Sequence, residues 1–70
     1  MYYADKIVKK NKYEIGDIVK VKSVKSYAGR ITHMDYRFEG HVGWHYKIRV
    51  YGLTNTLTFA EKSLRKIPMR

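Results

Sequence analysis

Seventy residues, 44% of them hydrophobic and 14% aromatic, make one small folded domain rather than a disordered tail. Fifteen Lys and Arg against six Asp and Glu give a formal charge of +9, which favours polyanionic partners, nucleic acid first and acidic protein surfaces second. Without cysteine there is neither a disulfide nor a thiolate zinc site, and no apolar run approaches the ~20 residues that span a bilayer.

Residues 1–12 read as a basic N-terminal segment set apart from the domain at 13–70. Tyr3 and Ile7, like Ala4 and Val8, are four apart, which suits a short amphipathic helix if the segment is ordered and a flexible leader if it is not. Lys6, Lys9, Lys10 and Lys12 make it basic. It lacks the apolar stretch of a signal peptide, so a cytoplasmic location is expected.

Gly16-Asp17 is a turn signal ahead of an alternating strand near 17–22, with Val19 and Val21 inward and Lys20 and Lys22 outward. Ser23 to Ala28 reads as a loop. A second strand near 29–38 has a phase conflict, because Ile31 is out of step with Met34, Tyr36 and Phe38. A β-bulge or a sharp bend near Thr32-His33, inserting one extra residue, would reconcile them. Glu39 to Gly43 connects to the clearest strand, near 44–51. There Trp44, Tyr46, Ile48 and Val50 point one way and His45, Lys47, Arg49 and Tyr51 the other. Gly52 to Asn55 is a turn, and a strand near 55–60 puts Leu57 and Phe59 inward. Ala60 to Leu64 suits a single 3₁₀ turn, and a strand at 65–67 ends at Pro68. The expected core is Val19, Val21, Ile31, Met34, Tyr36, Trp44, Tyr46, Ile48, Val50, Leu57, Phe59, Leu64 and Ile67.

Five short strands with a 3₁₀ turn before the last predict an all-β, small antiparallel barrel. Gly16-Asp17-Ile18-Val19-Lys20-Val21, Gly29-Arg30-Ile31, Tyr46-Lys47-Ile48-Arg49-Val50 and the run Phe59 to Ile67 together resemble the KOW and Tudor-like branch of the SH3-like barrels. The resemblance covers about residues 14–67 and implies ribosome, RNA, DNA or transcription-factor contacts, with purely protein contacts in other relatives. Two departures stand out. The loop at Ser26-Tyr27-Ala28-Gly29 has one glycine instead of a glycine-rich run, and the Asp35–Gly43 excursion exceeds a minimal KOW unit.

Two surfaces are candidates for binding. One is the outer sheet face, with Lys20, Lys22, His45, Lys47, Arg49 and Tyr51, where cations meet phosphates and rings stack on unpaired bases. The other is a loop set at one end of the barrel, Tyr27, Arg30, Arg37, Phe38 and Trp44, where the resemblance implies an aromatic pocket suited to peptides or modified side chains. Trp44 is the one of these best read as core.

His41 and His45 are four apart, but Gly40 and Gly43 argue against the helix that would bring them together. His33 and Asp35 are the only further ligands on offer, so no metal site is expected. The six carboxylates are scattered, and no phosphate-cradling glycine loop is present, so no enzyme and no cofactor are expected. The expectation is a non-catalytic module, monomeric or weakly dimeric, binding DNA or RNA largely without regard to sequence. The alternative is an adaptor or inhibitor binding an acidic protein surface. The Lys-, Ile- and Tyr-rich composition resembles that of compact proteins of AT-rich bacteria, their phages and mobile elements, which would place such an inhibitor in a host cytoplasm.

Overall fold

The computed structural model describes residues 8–67. Of the segment 1–12, where a short helix or a flexible leader is expected, residues 1–7 lie outside that range, and residues 8–12 are irregular chain. Five strands follow, β1 (Ile18–Val21), β2 (Ala28–Arg37), β3 (Gly43–Val50), β4 (Thr56–Ala60) and β5 (Leu64–Lys66), with a 3₁₀ turn, Glu61–Ser63, between the last two. They form one antiparallel, barrel-like sheet in the order β4-β3-β2-β1-β5. Each strand end lies within a residue of the position that alternation predicts, because the period of two is written locally in the chain.

The phase conflict in β2 resolves as a bulge. The ladder with β3 pairs Ile31 with Ile48 and then His33 with Lys47, leaving Thr32 as the extra residue. Its hydroxyl donates to the Lys47 carbonyl at 3.2 Å, so the bulge is held by its own side chain. The shift lets Ile31 and Met34 face the same interior despite their odd spacing.

The fully enclosed core is Val19, Val21, Ile31, Tyr46, Ile48, Val50 and Leu64, joined by Tyr13. Burying each such side chain contributes roughly 1.5–3 kcal/mol. Met34, Trp44, Leu57 and Phe59, expected in the core, are half-buried and pack against it, together with Val24 and Tyr27. Tyr36 and Ile67 are also only half-buried. A sheet of this size closes around one small interior, and side chains near its ends reach solvent.

Tyr13, which alternation does not mark, is buried in that interior. Its ring meets Tyr46 edge-on at 5.4 Å, and its hydroxyl donates to the Leu64 carbonyl at 2.9 Å. Tyr46 in turn donates to Glu61 Oε2 at 2.6 Å, and the same oxygen accepts the Lys12 backbone N–H at 2.8 Å. Burial, then the Glu61 hydrogen bond, push the Tyr46 phenol well above its ordinary value; burial and the Glu61 charge also raise Tyr13. The chain before β1 and the 3₁₀ turn before β5 are thus fastened through two tyrosines and one carboxylate.

Candidate nucleic-acid interface

The outer surface near the start of β2 is built by a close backbone approach. Gly29 lies opposite Val50, and a Cβ there would collide with the Arg49 carbonyl, so only glycine fits without a shift. The next pair in the ladder is Arg30 opposite Arg49. Both are exposed, on the side facing away from Ile31 and Ile48. Directly opposed like charges destabilise a sheet by about 0.2–1 kcal/mol. Neither arginine is relieved by a carboxylate among the described residues, whose two ion pairs are Arg37–Asp35 at 3.7 Å and Lys66–Asp17 at 3.6 Å.

β3 ends in a tight turn that displays the next ring. The Leu53 N–H donates to the Val50 carbonyl at 3.1 Å, and Gly52 takes φ +88°, the positive value that the third position of a type II turn demands. Tyr51, second in that turn, is fastened by its backbone N–H to the Ala28 carbonyl at 2.9 Å, and the residue is 59% exposed. Arg30, Arg49, Tyr51 and Leu53, with Thr32, line a groove of about 310 Å³.

A second, largely cationic cleft of about 490 Å³ lies over β1 and β5, lined by Lys20, Lys22, Lys25 and Arg65 together with Val21. Here too like charges face one another, since Lys20 pairs with Arg65 across the ladder. Lys47, between His33 on β2 and Thr58 on β4, extends the positive surface along β3.

Several expected positions are placed differently. His45 was expected outward on the exposed face and is instead 5% exposed. Its neighbour on β4 is Ala60, where the chain turns into the 3₁₀ segment, and Lys62 and Ser63 share a cleft with it. A single strand's alternation carries no information about such a cover. The Nδ1–H of His45 donates to the Gly43 carbonyl at 3.1 Å.

The loop set is also divided. Tyr27 is half-buried against the core and Arg30 sits beside it at the start of β2, whereas Arg37, Phe38 and Trp44 lie at the far hairpin tip. Seven residues of strand separate Arg30 from Arg37, roughly 20 Å. At the tip Tyr36 meets Phe38 at 5.0 Å and Trp44 at 5.4 Å, and the Trp44 Nε1–H donates to the Lys9 carbonyl at 2.6 Å. Those rings are occupied with one another. Leu53 and Arg65 were not among the anticipated contacts; turn chemistry hinted at display of residue 53, but Arg65 needed the β1–β5 register.

Among the described residues no three His, Cys, Asp or Glu side chains are placed to hold one metal ion, and no helix is long and apolar enough to cross a membrane. Compared with known proteins, the chain matches no family model, no curated protein and no solved structure.

Proposed function

We propose that the protein is a non-catalytic nucleic-acid-binding module that takes a phosphate backbone across the outer face of its sheet, largely without regard to sequence. The observation that carries this reading is Arg30 set directly opposite Arg49, with no carboxylate among the described residues to relieve them. A fold gains nothing from that juxtaposition alone; a phosphate lying between two guanidiniums converts the repulsion into two charge-assisted contacts. The Lys20, Lys22, Lys25 and Arg65 cleft offers a second anion site on the same sheet, and Lys47 a further cation. These contacts are to the backbone of a nucleic acid and so carry affinity rather than sequence. The strand order and the 3₁₀ turn before the last strand support an SH3-like assignment on which such a role is at home.

The test is a fluorescence-anisotropy titration of labelled DNA and RNA at 50 and 200 mM salt. Engagement of about four phosphates predicts roughly a hundredfold loss of affinity over that range. Charge reversal of both Arg30 and Arg49 should abolish most of the binding at 50 mM salt. Absence of binding by the wild-type protein at 50 mM salt would overturn the proposal.

A further inference from the structure

We infer that the groove between Arg30, Arg49, Tyr51 and Leu53 selects single-stranded nucleic acid, holding a phosphate between the two guanidiniums and an unpaired base against the Tyr51 ring. This rests on the nucleic-acid reading above and adds which form of nucleic acid the site takes.

Three features of the groove point the same way. The first is the Tyr51 ring, which is exposed and has no aromatic neighbour among the described residues, unlike Tyr13, Tyr36, Trp44 and Tyr46. A ring standing alone on a strongly basic surface offers a free π-face. The second is Leu53, 38% exposed and lining the same groove, which adds apolar surface where a purely electrostatic site would have none. The third is rigidity. The Tyr51 backbone is tied to Ala28 and the turn is closed from Leu53 to Val50, so the ring is presented with little ordering cost on binding.

A duplex keeps its base faces stacked inside and presents phosphates and groove edges, leaving Tyr51 and Leu53 nothing apolar to cover. An unpaired base satisfies both. Stacking is tolerant of base identity, since each base has a π-face, so the site prefers strandedness over sequence. By contrast, the Lys20, Lys22, Lys25 and Arg65 cleft has no aromatic lining and would accept phosphates from either form.

The experiment compares a labelled single-stranded oligothymidylate with a duplex of equal length, against wild type, Tyr51→Ala and Tyr51→Phe. Wild type should bind the single strand more tightly than the duplex. Tyr51→Ala should weaken the single-strand complex by at least about fivefold, the lower end of what one aromatic–base stack contributes, with the salt slope unchanged. Tyr51→Phe should retain wild-type affinity, because the ring and not the hydroxyl is used, and duplex binding should be insensitive to both changes. Equal loss on single strand and duplex, or no loss on either, overturns this inference and leaves nucleic-acid binding standing. Failure of wild type to bind either at 50 mM salt overturns the underlying reading as well. Tyr51 lies outside the core, so both variants should fold, and unchanged thermal melts check that they do.

Discussion

The β2–β3 ladder has two halves, divided by the bulge at Thr32, and they treat their charges and rings in opposite ways. Toward the hairpin tip, Asp35 lies opposite His45 and within 3.7 Å of Arg37, and three rings pack on one another. Toward Gly29, arginine faces arginine and Tyr51 stacks on none of the described rings. The strands, the pairing and the core beneath are shared, so the difference is in what each half leaves unsatisfied. A satisfied half needs no ligand, whereas the other half carries repulsion and an idle aromatic face. On this chain of +9, total charge says little about where binding occurs; local compensation says more.

The largest effect should come from a change that undermines both halves together. Ile48 is fully buried opposite Ile31, next to the bulge, and Ile48→Ala should cost about 2–5 kcal/mol in urea melts. A loss below about 1 kcal/mol would show that the shared core is misplaced.

Gly29→Ala strikes the arginine half selectively. The new methyl would meet the Arg49 carbonyl, and separating the strands to admit it should cost about 3 kcal/mol, the upper end of ordinary overpacking. Nucleic-acid affinity should fall with it. Melts and titrations indistinguishable from wild type would mean that the strands do not approach so closely.

Tyr46→Phe tests the fastening through Tyr13, Tyr46 and Glu61. It removes the donor to Glu61 and the acceptor for the Tyr13 N–H, a loss of about 2 kcal/mol. It should also alter the alkaline limb of stability. Tyr13 and Tyr46 both have phenols raised above 10.0 in the folded chain. Below pH 10 folded and unfolded chains are equally protonated; above it the unfolded chain ionises first, so stability falls as pH rises. In Tyr46→Phe part of that decline should vanish, leaving the share due to Tyr13. Parallel alkaline titrations of stability for the two proteins would contradict the linkage.

The smallest effect is the most diagnostic. Arg30→Glu turns a repulsive cross-strand pair into an attractive one and should raise stability by about 0.2–1 kcal/mol while weakening nucleic-acid binding. Arg37→Glu, in the compensated half, should leave binding nearly unchanged. If the two reversals weaken binding equally, the contrast between the halves has no functional meaning.

Alternation over Trp44 to Val50, the odd step between Ile31 and Met34, and the Gly-Asp turn before Val19 were enough to place the strands, the bulge and most of the core. Each is a local signal, because pleating fixes which way a side chain points relative to its neighbours on the same strand. Lys20, Lys22, Lys47 and Arg49 were legible as outward cations for the same reason. Tertiary structure alone decided that Arg30 would face Arg49 and Lys20 face Arg65, since register joins segments far apart in the chain. It also brought the 3₁₀ segment beside His45, carried Tyr13 into the core, and put the lone ring of Tyr51 beside two guanidiniums. A strand specifies its two faces, but which other segment covers a face, and which is left open to a ligand, depends on the packing of the whole chain.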